Sequence, residues 1–136
     1  MATGNADDYI ALQGVMTTYA AAVDERDRER YAACFATDVE VIGFGDTHIR
    51  GIDNWLDYVW AALERYSATQ HLLGPILATL EGDTARTRSD VQAMHILADS
   101  GARFTLWATY VTDMRREGDT WRIARHELVV HASETV

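Results

Sequence analysis

Residues 69–131 read TQHLLGPILATLEGDTARTRSDVQAMHILADSGARFTLWATYVTDMRREGDTWRIARHELVVH, and this stretch decides the fold class. Four extended runs, Thr69–Leu80, Thr84–Ala98, Ala102–Asp113 and Trp121–His131, are parted by Glu81-Gly82-Asp83, Asp99-Ser100-Gly101 and Arg115-Arg116-Glu117-Gly118-Asp119. Glycine beside acidic residues is turn chemistry, and connections this short join antiparallel neighbours. Runs of about a dozen residues exceed the usual five or six, so the sheet is expected to bulge, bend and curl around something.

Working outward towards the N-terminus, the period changes. Over residues 8–24, Leu12, Val15, Met16, Tyr19, Ala20 and Val23 recur at spacings of three and four and draw one apolar stripe along a helix. The row Leu12, Met16, Ala20 runs on to Asp24, which sets a carboxylate at the edge of the buried face. The charged connector DERDRER, residues 24–30, follows, with Asp27 as a candidate cap for a short second helix carrying Tyr31, Cys34 and Phe35. Residues 39–44 are β-branched in pattern, and GDTHIRG reads as a turn with a short return strand. After Gly51 a third helix of about a dozen residues is marked by Ile52, Trp55, Leu56, Val59, Leu63 and Tyr66, its face widened by Trp60. Helices first and strands last predict an α+β fold, with about three helices closing a curved sheet into a cup around an apolar pocket.

Composition narrows what such a cup holds. The chain has 136 residues, a length that predicts one domain over 1–136, with residues 1–7 loose. A net charge of −9 without any basic run repels a phosphate backbone, so neither nucleic acid nor an anionic membrane is an expected partner. The polar, acidic opening MATGNADD lacks the order of an export signal, no stretch approaches the ~20 apolar residues that span a bilayer, and Cys34 is the single cysteine. A lone thiol fits a reducing compartment, and the expected location is cytoplasmic. There is no HExxH, HxH or paired-cysteine spacing, no phosphate-binding glycine loop and no GxSxG turn, so neither a metal nor another cofactor is expected.

Chemistry centres on Asp24 and His71. If the helix lies across the first long strand, the carboxylate meets one ring nitrogen, fixes the imidazole tautomer, and leaves the other nitrogen to take a proton from a substrate carbon. The sequence equally allows Asp24 to pair at the surface while His71 is a satisfied core histidine. Tyr19, one turn before Asp24, is read either as a donor to a developing oxyanion or as a core tyrosine bonded to a neighbour. Trp55, Tyr58, Trp60, Phe104, Trp107 and Tyr110 are candidate walls of a site for a small hydrophobic molecule, and two or three of them are expected to touch it. His126 joins them as a substrate-binding candidate, with His95 beside it as a possible cavity residue and Arg125 as a possible anion contact. His48 and His131, near a turn and a terminus, are expected to be exposed.

The motifs YAAAVDERD (19–27), CFATDV (34–39), Gly51, TQH (69–71) and GDTWRI (118–123) resemble the SnoaL-like branch of the nuclear transport factor 2-like superfamily, over nearly the whole chain. The resemblance implies a cone-shaped fold with a curved mixed or antiparallel sheet. It places Asp24 and His71 where scytalone dehydratase, bile acid 7α-dehydratase and lindane dehydrochlorinase carry their catalytic pairs, and Tyr19 where bile acid dehydratase and ketosteroid isomerase carry a tyrosine. Those dehydratases and the dehydrochlorinase run cofactor-free eliminations begun by proton removal. The chain departs from its likenesses at Gly43, near which the isomerase base and one scytalone-dehydratase tyrosine would fall, at Val23, which stands for the other tyrosine, and near Trp107, which stands for a second histidine. Scytalone and ketosteroids are therefore disfavoured as substrates. The expected function is a cofactor-independent lyase, a dehydratase, acting on a small cyclic apolar substrate of polyketide, aromatic, steroid or terpenoid type. The alternatives are an isomerase or polyketide cyclase built from the same parts, or a non-catalytic binding or assembly module like the small subunit of ring-hydroxylating dioxygenases. Self-association as a dimer or trimer through the outer face of the sheet is also expected, since helices cover only one face.

Overall fold

The α1 helix, Ala6–Asp24, buries Leu12, Met16, Tyr19, Ala20 and Val23 of the stripe its periodicity predicts, together with Ala22, while Val15 is partly buried. The computed structural model describes residues 6–136; of the seven residues expected to be loose, 1–5 lie outside the described residues, while Ala6 and Asp7 open the helix. The α2 helix, Arg28–Ala32, starts at Asp27, whose side chain accepts from Arg30 N at 3.1 Å, as a cap should. The α3 helix, Ile52–Leu63, turns Trp55, Leu56, Val59 and Leu63 inward. No helix among the described residues is long and apolar enough to cross a membrane.

Among the described residues seven strands form one open mixed sheet: β1 Phe35–Ile42, β2 His48–Arg50, β3 Tyr66–Leu73, β4 Leu77–Glu81, β5 Thr84–Leu97, β6 Arg103–Glu117 and β7 Thr120–Thr135. Their order is β2-β1-β7-β6-β5-β3, with β4 also paired to β5. Every pairing is antiparallel except β1 with β7. The fold is α+β, as the order of sequence periods predicts. The long strands bend where register shifts, between Trp107 and Ala108 and between Asp113 and Met114. Bulges of this kind sharpen twist and let a sheet wrap a core.

Tyr66, expected on the third helix, opens β3 instead, and two further boundaries differ from the sequence reading, each for a local reason. Phe35 opens β1 rather than continuing a helix with Tyr31 and Cys34, because the Cys34 carbonyl is taken by Ile123 N at 2.8 Å and the chain is drawn into the sheet beside β7. The run 69–80 is two strands, β3 and β4, which lie along the same edge of the fourteen-residue β5. They are separated at Gly74-Pro75-Ile76, where proline has no N–H for the ladder. Ile76 turns inward there instead, 1% exposed, with its N–H on Gln13 Oε1 at 3.0 Å and its carbonyl on the Tyr9 hydroxyl. The loop thereby ties the sheet edge to α1.

Gly43 follows β1 with φ +88°, and a Cβ there would sit 2.2 Å from the Leu128 carbonyl oxygen. Only glycine fits, since both the left-handed backbone and the backbone of β7 exclude a side chain. Gly82, at φ +56°, has open space around it. In urea unfolding, Gly82→Ala is expected to cost about 1 kcal/mol and Gly43→Ala at least about 2 kcal/mol, because strain and collision add at the second site. Equal losses would contradict this reading of the β1–β7 contact.

Candidate active site

Between the helices and the concave face of the sheet lies a cavity of about 500 Å³, within the range of small-molecule sites. His71 and Tyr19 line it, and so do Trp55, Tyr58, Phe104 and Tyr110, four of the six aromatic residues proposed as walls. The other two do not. Trp60 packs its ring 5.5 Å from that of Tyr31 under the Arg28 guanidinium, on the outer side of α3. Trp107 follows Leu106, which faces the cavity, so strand alternation sends it to the opposite face. His126 is also absent from the wall: it is fully buried behind Tyr19. Arg125 pairs with Glu40 and Glu127 rather than waiting for an anion. His48 and His131 are exposed, as expected.

The last turn of α1 meets β3 at Asp24. Its Oδ1 accepts from His71 Nδ1 at 2.7 Å and from Thr69 Oγ1 at 3.0 Å, and its Oδ2 accepts from the backbone N–H of His71 at 2.7 Å. Thr69 Oγ1 in turn accepts from Arg26 Nη1 at 2.8 Å, which directs the threonine proton onto the carboxylate. Burial pushes the Asp24 carboxyl up, but the His71 ring, the His71 N–H and Thr69 together hold it below its ordinary value. The group is therefore an anion that accepts at both oxygens. Because a carboxylate cannot donate, the proton between it and His71 sits on Nδ1, which makes Nε2 the nitrogen whose lone pair can serve as a base. The side chains of His71 and Asp24 are 13% and 19% exposed, enclosed but not sealed.

His95, one strand away on β5, is a cavity residue that the sequence raised without assigning. It stands opposite Thr69 in the β3–β5 register, with its ring centroid 5.8 Å from that of His71. Its Nδ1 lies 3.2 Å from the Phe104 carbonyl, which can only accept, so Nδ1 holds the proton. Burial drives its pKa down, outweighing that hydrogen bond, and keeps the ring neutral. Tyr31, Phe44, Arg65 and Tyr66 also line the cavity and were not anticipated. The ring of Tyr66 packs tilted against His95, centroids 4.6 Å apart, a contact that depends on cross-strand register and leaves no trace in spacing. Among the described residues no group of three or more His, Cys, Asp or Glu is placed to hold a metal ion.

A carboxyl held below its ordinary 3.8 contributes stability that is complete above that value and is lost as pH falls through the lower folded value. Asp24→Asn is therefore expected to cost up to about 3 kcal/mol near neutrality, as charged hydrogen bonds do. The gap between variant and parent should hold steady in urea unfolding from about pH 7 to about pH 4 and narrow only below that. A pH-independent gap would contradict a buried carboxylate.

Comparison with known proteins locates this architecture. A search of curated proteins by sequence finds no match. Among solved structures, a provisionally assigned aromatic ring hydroxylase from Novosphingobium aromaticivorans superposes with a TM-score of 0.91 at 26% identity, over 98% of this chain and 96% of that one. A provisionally assigned scytalone dehydratase from the same organism gives 0.88 at 22% identity, over 94% and 87%. The type 3 hexachlorocyclohexane dehydrochlorinase of Novosphingobium barchaimii gives 0.87 at 18%, over 96% and 90%. Identities at this level mark a shared fold. The family model of the SnoaL-like domain matches residues 5–127, nearly all of the chain, and the protein belongs to that family.

Proposed function

We propose that the protein is a cofactor-independent lyase, a dehydratase acting on a small cyclic apolar substrate, with His71 as general base, Asp24 as the group that orients it and Tyr19 as a hydrogen-bond donor. The observation that carries this reading is the 2.7 Å contact between Asp24 Oδ1 and His71 Nδ1 beside an aromatic-lined cavity. A satisfied core histidine uses both ring nitrogens, as His126 does. Here the carboxylate instead makes three contacts that fix the ring and leave Nε2 free. Neighbours of the same shape described as a scytalone dehydratase and a dehydrochlorinase lend support by analogy of fold.

In the proposed step, His71 Nε2 takes a proton from a substrate carbon, and the freed electron pair forms the new carbon–carbon double bond as the neighbouring carbon–oxygen bond breaks. The imidazolium then returns its proton to the departing hydroxide, so that water leaves and the enzyme is restored. Asp24 stabilises the cationic ring between these transfers. The aromatic walls hold the substrate and displace bulk water, which strengthens each polar contact. An isomerase would use the same first transfer and return the proton to carbon. An assembly module would have no chemical use for a pinned imidazole in a cavity.

The test is turnover of cyclic β-hydroxy ketones, followed by near-ultraviolet absorbance of the conjugated product and by loss of deuterium placed at the acidic carbon. His71→Gln is expected to reduce both by about 10²–10⁴-fold, and Asp24→Asn by at least about a hundredfold. Deuterium loss without dehydration would favour the isomerase. Variants as active as the parent, or no exchange from any member of the panel, would remove the proposal.

A further inference from the structure

Thr112, His126 and Tyr19 form a buried polar chain that the proton transfer does not use. His126 Nδ1 lies 2.9 Å from Thr112 Oγ1, and its Nε2 lies 3.0 Å from the Tyr19 hydroxyl. Thr112 and His126 are both 0% exposed, beyond the reach of bulk water. Burial pushes the His126 pKa down to about 3, so the ring is neutral and has one donor nitrogen and one acceptor.

Thr112 decides which is which. Among the described residues its hydroxyl has one hydrogen-bond partner, His126 Nδ1. Were Nδ1 to carry the proton, the threonine O–H would be buried with nothing to accept it, at a cost of about 1–3 kcal/mol. The threonine therefore donates, Nδ1 accepts, and Nε2–H points to the Tyr19 oxygen. Tyr19 must then place its own proton elsewhere, and it lines the cavity. Tyr19 shares hydrogen bonds there with the hydroxyls of Tyr31 and Tyr110, each also kept protonated by burial, so its proton belongs to a cluster of three hydroxyl donors at the cavity wall. Beside them Trp55, 1% exposed and also on the wall, directs its indole N–H towards the Tyr31 hydroxyl and so adds a donor to the cluster. This part of the wall has protons to give.

We propose that Thr112 and His126 orient the Tyr19 hydroxyl to donate into the cavity, so that the site selects substrates that present a carbonyl oxygen to it. His126 is thus a positioning residue, acting through Tyr19. The inference deepens the dehydratase reading, on which its substrate class rests: proton removal by His71 would produce an enolate, and the carbonyl oxygen that gains the charge would sit against Tyr19. A substrate without that oxygen gains nothing from these donors.

Two readouts test it, neither of which depends on His71. Nitrogen-15 spectra of the imidazole rings in the native chain should find the His126 proton on Nε2; a proton on Nδ1 overturns the proposal. The second uses 1-tetralone, labelled with carbon-13 at the carbonyl, against its hydrocarbon counterpart tetralin. The carbonyl stretch of bound ketone should fall below its value in alkane solvent and recover in Tyr19→Phe. That variant should bind the ketone about three- to tenfold more weakly and tetralin equally well. His126→Phe should lose the shift, and His126→Gln, whose amide N–H replaces Nε2–H, should keep most of it. A stretch indifferent to Tyr19→Phe, or a ketone held no better than tetralin by the native chain, overturns the proposal. Intact tautomer and shift with failed turnover would count against the dehydratase reading alone.

Discussion

The Asp24 carboxylate is the joint on which this structure turns. It is the last residue of α1, carried to the sheet by the buried row Leu12, Met16 and Ala20. There it accepts three hydrogen bonds from an edge strand, two from side chains and one from the backbone N–H of His71. An edge strand leaves such N–H groups unpaired, and a buried charge is tolerated only when it is bonded. Each defect answers the other. The same contacts pack helix on sheet and set the tautomer of the histidine, so the fold could not lose this carboxylate without loosening both.

The cavity beyond that joint has two kinds of polar wall. On β3 and β5, His71 and His95 both hold their protons on Nδ1, towards Asp24 and the Phe104 carbonyl, and so keep lone pairs on Nε2. Around Tyr19 the groups are donors, supplied from behind by Thr112 and His126. A small molecule with an acidic C–H and a carbonyl oxygen matches this division of acceptors and donors. Aromatic side chains between them contribute shape and exclude water. Among the groups facing the hollow, His95 stays neutral by burial, as do Tyr19, Tyr31 and Tyr110. Arg65 also lines the hollow, and Asp24 is the charge in direct contact with His71.

Much of this was legible in the residues alone. Three helices, the hairpins after residue 84 and the Asp27 cap follow from period and turn chemistry, which act over a few residues. Asp24 at the end of a buried row and His71 at the opening of a strand suggested the pair, and the family likeness supported it. What could not be read depends on register. Whether Trp107 or Leu106 faces inward changes with a single bulge, and one lies beside this pair. His126 was expected in the cavity and lies behind it, because a side chain on the inner face still stops short if Tyr19 fills the space in front. Thr69 and Arg26, which polarise the dyad, belong to a turn and a strand that meet only in three dimensions.

The central claim is that Asp24 holds the His71 proton on Nδ1 and leaves Nε2 as a base in the cavity. Long-range nitrogen-15 correlation spectra of the His71 ring, recorded on the native chain and on Asp24→Asn, test it most directly. The account predicts a protonated Nδ1 and bare Nε2 in the native protein, and a redistribution of the proton in the variant. A native ring with its proton on Nε2, or a tautomer unchanged by the substitution, would contradict it.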